Sequence, residues 1–259
     1  MDALSTSLYR GKRRQVDALS TCVPRLRPAQ IRPRGFTVSH LLHLDSSART
    51  DSFSRRLGAA FAEAWEAGGG EVTHRDLAAG PVPPIREGWT RICDTLLREG
   101  ITDIARYGEA VRTGQEREAW AVVRPLLDEL VAADVVLIGA PMYNFGVPAA
   151  LKAWIDQVTF PKMVLAPRKF VVVAASGGAY GPGTPREPYD HNGRYLSDFI
   201  RGHYAVEDTE VIAAELVNSL VDPALAGRVL QHRESAADAL RRAGELGARL
   251  AGHRIPRGE

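Results

Sequence analysis

DVVLIGAPMYNF, residues 134–145, decides the fold. After Asp134 come six apolar or small residues without polar alternation, until Pro141 stops the run. That is the look of a strand buried on both faces. Such a strand belongs in a parallel sheet, which requires helices on either side of it in the chain. Upstream, Glu116–Ala132 carries Trp120, Val123, Leu127 and Leu130 at helical spacing. Downstream, Val147–Val158 does the same with Leu151, Trp154, Ile155 and Val158.

The alternation continues outward. FTVSHLLHLDSS (36–47) reads as a first strand. Phe53, Leu57, Phe61 and Trp65 then recur every four residues along a helix that Ser52 caps and Gly68-Gly69-Gly70 ends. EVTHRDL (71–77) is a second strand, closed by Pro81, Pro83 and Pro84. Residues 86–133 read as helical, with a weaker piece over Arg91–Arg106. KFVVVAA (169–175) is another buried strand, residues 190–204 a short helix, and TEVIAAELV (209–217) a fifth strand. Asp222-Pro223 caps a long last helix bearing Leu225, Val229, Leu240 and Leu250. Five strands alternating with helices predict an α/β fold, a doubly wound five-stranded parallel sheet covered on both faces. Ligands of such sheets bind beyond the carboxyl ends of the strands, here at 45–54, 141–146 and 175–183.

The 259 residues hold 33 Lys+Arg and 31 Asp+Glu, a formal charge of +2. That sum hides two unlike parts. Residues 1–35 carry eight basic and two acidic side chains, whereas the remainder carries 25 basic and 29 acidic ones. Residues 1–35 also lack persistent periodicity and are expected to be a disordered basic extension. Their composition further suits an organelle transit peptide or an arm for nucleic acid. Residues 36–259 are expected to be one domain. Its mildly acidic balance makes neither nucleic acid nor membrane the expected partner, and no stretch approaches 18 apolar residues. Two cysteines, Cys22 and Cys93, provide neither a disulfide framework nor metal-ligand spacing, which fits the cytoplasm.

The strand ends carry the chemistry. In the first, Ser47, Ser52 and Ser54 offer hydroxyls and Arg49 a charge at a helix start, where free N–H groups favour an anion. N-capping alone explains such serines equally well. Neither G-x-x-x-x-G-K-[ST] nor G-x-G-x-x-G is present. In the second, Met142-Tyr143-Asn144-Phe145-Gly146 sets rings around an amide, suited to a flat ligand or simply to capping the core. In the third, Ala175-Ser176-Gly177-Gly178 offers bare backbone with Tyr180 beside it. No metal site is expected, since His40 and His43, three apart on a strand, face opposite ways, and His191, His203, His232 and His253 share no ligand spacing with any Cys or carboxylate pair. No G-x-S-x-G elbow marks a hydrolase.

PMYNFGVPAALKAWIDQVTF, in the context of the serine loop, RDLAAGPVPPI (75–85), LKAWIDQV (151–158), the Ser-Gly-Gly turn and YLSDFIRG (195–202), resembles the FMN-dependent NADH-azoreductase and quinone reductase family of the flavodoxin-like fold. The resemblance covers about residues 37–217 and implies the strand order 2-1-3-4-5. It implies that Ser47, Ser52, Phe53 and Ser54 hold the FMN phosphate. Met142, Tyr143, Asn144 and Phe145, with Ala175, Ser176, Gly177 and Gly178, would line the isoalloxazine through backbone donors and ring contacts. Tyr180 would orient the substrate. The implied enzyme is a homodimer that takes a hydride from NADH or NADPH and reduces a quinone or azo acceptor in a ping-pong cycle, with no side chain as chemical catalyst. A flavodoxin-like electron carrier, a flavin sensor and a cofactor-free interaction protein are the competing classes. Residues 159–168 are shorter than the family pattern, and 86–120 is expected to compensate by lying over the site.

Overall fold

A computed structural model describes residues 39–252. The basic extension, the start of the first predicted strand at 36–38, Cys22 and His253 lie outside those residues. Five strands, β1 (His40–Asp45), β2 (Glu71–Asp76), β3 (Val135–Pro141), β4 (Lys169–Ala175) and β5 (Thr209–Ala214), pair in the order β2-β1-β3-β4-β5. Every pairing is parallel. Among the described residues six α-helices alternate with them: α1 (Phe53–Ala67), α2 (Glu87–Glu99), α3 (Gly114–Ala132), α4 (Ala149–Val158), α5 (Gly193–Tyr204) and α6 (Val229–Ala251). This is the doubly wound sheet expected from the alternation.

Side chains alternate across a strand, so each buried strand feeds two cores. Leu41, Val135, Leu137, Val171 and Val173 join Leu57, Phe61 and Trp65 of α1 and Ala239, Ala243 and Leu246 of α6. Leu42, Leu44, Val136, Ile138 and Val172 face the other way, toward Ile92, Val123, Leu127, Leu151, Trp154 and Leu196 of α2 to α5. The α1–α6 contact is close because Gly247 has no side chain: a Cβ there would lie 2.3 Å from Phe61 O. Gly247→Ala is therefore expected to lower unfolding stability by about 2 kcal/mol, the usual penalty of overpacking, read from the urea midpoint.

The structure moves several boundaries. The weaker helix ends at Glu99 instead of reaching Arg106, because Gly100 adopts φ 67° and its N–H closes on Leu96 O and Leu97 O. The fifth strand ends at Ala214, and Leu216 turns left-handed with φ 61°. Asp222 caps a short 3₁₀ turn, Pro223–Arg228, through Ala224 N, and the long helix begins only at Val229. Helices α4 and α5 likewise begin a few residues later than expected, after Pro148 and Asn192. Segment 86–120 does not form one cover. Its Trp89, Tyr107 and Trp120 close around Phe160 of the short 159–168 segment, which is itself fully buried.

Candidate functional site

The first strand-end loop is built on Ser46 and Ser47. Ser46 donates its hydroxyl to Gly139 O at 2.5 Å, which ties the loop to β3. Ser47, 1% exposed, accepts from Arg49 N at 3.2 Å. Ser52 caps α1 by accepting from Arg55 N, and its hydroxyl lies 3.2 Å from that of the fully buried Ser54. Capping and anion binding are thus compatible here: Ser52 serves one first-turn N–H, while those of Phe53 and Ser54 precede any i−4 carbonyl of the helix. The Phe53 ring itself turns away, edge-on to His232 at 4.7 Å and under the Arg56 guanidinium. Phe53 can contribute only its backbone. Arg49 is exposed and has no ion-pair partner among the described residues.

Below the loop lies a network that sequence reasoning did not identify. The β1–β2 register sets His43 opposite His74 and Asp45 opposite Asp76. Two facing carboxylates repel unless a cation joins them. Arg55 joins them, at 3.4 Å from Asp45 and 2.8 Å from Asp76, and donates to the loop carbonyls Ser47 O and Arg49 O, each at 2.9 Å. The Arg55 bond, with Ala79 and Ala78 N–H, holds the Asp76 carboxyl down at about 2. Asp45 also takes a 2.9 Å bond from His74 and faces His43 Nε2 at 3.7 Å. Burial lowers His43 to about 4 against the pull of Asp45, so the ring is neutral at physiological pH. His43, Asp45 and His74 bring ligand-type atoms within 4.8 Å of one another, a grouping the expectation of scattered histidines did not foresee. Arg55 already supplies the positive charge on Asp45, and a second cation there would be repelled.

The second loop meets the first through Tyr143, whose hydroxyl lies 3.4 Å from Ser47 Oγ and accepts from Ala48 N at 3.2 Å. Tyr143→Phe removes both contacts. It is expected to weaken retention of a phosphate-bearing ligand by about fivefold, the worth of one ordinary hydrogen bond, measured by equilibrium dialysis. Tyr143 and Gly146 exchange both backbone bonds at 3.0 Å, enclosing Asn144 (φ 49°) and Phe145 (φ 69°). Two left-handed central residues make a type I′ turn, a strained conformation for a phenylalanine. Met142 N donates to Ala175 O at 2.8 Å and Tyr143 N to Gly146 O. Among the described residues the N–H groups of Asn144 and Phe145 take no acceptor and remain for a ligand, together with the 39%- and 46%-exposed rings of Tyr143 and Phe145.

The third turn is held from behind. Val217 N, Asn218 N and Leu216 N donate to Ser176 O, Gly177 O and Gly178 O, while Ser176 N donates to Ala214 O. A Cβ on Gly177 would meet the Asn218 side chain at 2.5 Å, so glycine permits this contact. The N–H groups of Gly177 and Gly178 take no acceptor among the described residues. Ala175 is buried and contributes its carbonyl to Met142. Glu215 accepts from Tyr180 N at 2.5 Å and Gly181 N at 2.7 Å, which sets the Tyr180 ring 6.2 Å from Phe145.

Three loops from β1, β3 and β4 therefore join into one site: hydroxyls and a helix start at one end, free N–H groups and aromatic rings at the other. That donor set fits a phosphate linked to a flat heterocycle. Among the described residues no helix is long and apolar enough to cross a membrane.

A family described as having the flavodoxin-like fold matches residues 39–239. The FMN-dependent NADH:quinone oxidoreductase of Nocardia farcinica (strain IFM 10152) is 59% identical over 209 residues, spanning 80% of this chain and 97% of that protein. The protein of the same description from Streptomyces coelicolor is 39% identical over 198 residues, 71% of this chain and 83% of its own length. Among solved structures, an FMN-dependent NADH-azoreductase from Bacillus anthracis in complex with FMN superposes with a TM-score of 0.64 at 19% identity. It covers 82% of this chain and 100% of that one, a likeness of fold.

Proposed function

The chain belongs to the FMN-dependent NADH:quinone oxidoreductases of flavodoxin-like fold, and on that premise we propose that it passes two electrons from NADH or NADPH through FMN to quinones or aromatic azo compounds. One observation carries the reading: the Tyr143 hydroxyl joins the serine loop to the aromatic turn, so an anion seat and a planar wall form one surface. In this reading Ser47, Ser52 and the N–H groups of Phe53 and Ser54 bind the FMN phosphate. The N–H groups of Asn144, Phe145, Gly177 and Gly178 face the isoalloxazine edge, where donors stabilise developing negative charge. When bound, FMN supplies the redox chemistry, accepting a hydride from the nicotinamide and returning two electrons to the acceptor. Tyr180 and Phe145 would position the second substrate and exclude water around it. Donor and acceptor occupy that space in turn, which is the basis for a ping-pong cycle.

We assign the working form to a homodimer. An open groove of ≈ 670 Å³ lined by Gly146, Val147, Lys152, His191, Tyr195 and Asp198 runs between α4 and α5 directly beside the aromatic turn, which supports a partner on that side. A cytoplasmic location belongs to the same reading, with the buried free thiol of Cys93 compatible with it.

The test is the visible spectrum of the purified protein, before and after anaerobic NADH and NADPH. A bound-flavin spectrum that bleaches with either nicotinamide and recovers on adding benzoquinone or methyl red is expected. A colourless protein that FMN fails to load overturns the reading, and flavin that stays oxidised with both donors overturns the enzymatic part of it.

A further inference from the structure

Residues 181–192 form a strap between β4 and α5, of which the reading above uses only His191. The strap is fixed at both ends. Glu215 holds Gly181 N at its start, and at its end Asn192, 1% exposed, donates its amide to Ala140 O at 3.0 Å. It is fixed to the aromatic turn as well, since His191 N donates to Phe145 O at 3.1 Å. Within it, Glu187 accepts from Gly183 N at 2.7 Å, and Thr184 donates to Ala179 O and Gly181 O. A strap braced in this way holds its backbone in place without a ligand.

Two of those side chains turn to the site. The Tyr189 ring, 53% exposed, lies 5.7 Å from Phe145. The Arg186 guanidinium packs over the Gly178 turn: a Cβ on Gly178 would meet Arg186 Nη1 at 3.0 Å and Tyr180 Cε2 at 3.2 Å. Arg186 is exposed and has no ion-pair partner among the described residues. Exposed aromatic rings offer a stacking surface, and an unpaired guanidinium beside them recognises an anion on a planar ring.

Resting on the oxidoreductase reading, we propose that Arg186 and Tyr189 form the acceptor subsite and select planar aromatic acceptors bearing an anionic substituent such as sulfonate or carboxylate. Tyr189 contributes the face and Arg186 the charge. Calorimetric titration of the FMN-loaded protein with naphthalene-2-sulfonate and with neutral 2-naphthol, neither of them a quinone, reads binding apart from turnover. The wild type is expected to bind the sulfonate about tenfold more tightly, the increment of one charge-assisted bond. Arg186→Gln should abolish that preference and leave 2-naphthol unchanged, whereas Tyr189→Ala should weaken both. Equal affinity of the wild type for the two probes overturns the proposal. So does an Arg186→Gln protein whose sulfonate affinity is intact while its KM for NADH rises, because the charge then serves the donor. Both results are read on protein that has taken up FMN. Loss of the oxidoreductase reading is seen separately, as absent flavin in the starting spectrum.

Discussion

Replacing Arg55 with alanine is expected to produce the largest loss of any single substitution on the phosphate side of the site. One guanidinium compensates Asp45, only 4% exposed, and Asp76, and it holds the carbonyls of Ser47 and Arg49. Without it Asp45 stays buried beside a second carboxylate, and such removal of one partner costs about 3–5 kcal/mol. The loop that presents Ser47 loses two backbone anchors at once, so FMN affinity should fall about 100-fold as the seat becomes disordered in the free protein. Arg55→Lys is the informative companion. It keeps a charge near Asp76 but lacks the fork that reaches two carboxylates and two carbonyls together. Chemical denaturation and FMN titration of both variants check this: an Arg55→Ala protein with unchanged midpoint and unchanged FMN affinity contradicts the assigned role.

The second large effect is a loss of stability in mild acid that arises at His43. The ring faces Asp45 from its own strand, His74 from β2 and Arg55 from α1, and Gly58 presses against it, with a Cβ there only 2.4 Å from Nε2. Burial lowers the folded value from 6.5 to about 4. The unfolded chain therefore takes up a proton below pH 6.5 that the folded protein refuses until about pH 4. Stability is unaffected above pH 6.5, falls as pH drops through that window, and is fully lowered below it, by on the order of 3 kcal/mol. His43→Leu removes both the titration and an unpartnered ring nitrogen. Unfolding measured from pH 7 to pH 4 should be markedly flatter for this variant than for the wild type. Equal slopes would falsify the assignment.

Much of the architecture was legible because buried parallel strands have a strong one-dimensional signature. KFVVVAA was bounded correctly at both ends, since Lys169 and Ser176 bracket the unbroken apolar run 170–175. The serine loop, the aromatic turn and the Ser-Gly-Gly turn were legible as loops, and the structure brings them together. The Arg55 network was not legible. Its members are 10 and 21 positions from Arg55, and they meet only because the β1–β2 register places Asp45 beside Asp76. No periodicity in a single sequence reports register between strands separated by a helix. That the N–H groups of Met142 and Tyr143 are taken up within the protein was not legible for a related reason. Whether an N–H is free depends on the partner strand and on turn type, and residue identity speaks to neither. The stop at Gly100 was missed as well, although glycine is the usual left-handed residue past a helix end.

The two-sided sheet has an evolutionary consequence. The anion seat is founded on β1, β2 and α1, whereas the strap bearing Tyr189 is tethered to Ala140 and to Glu215 beyond β5. Insertions and substitutions between Gly181 and Asn192 leave the foundations of the seat untouched. On the proposed assignment of the acceptor subsite, a lineage can trade one electron acceptor for another while keeping its prosthetic group, and a protein engineer can graft straps onto this scaffold as interchangeable parts.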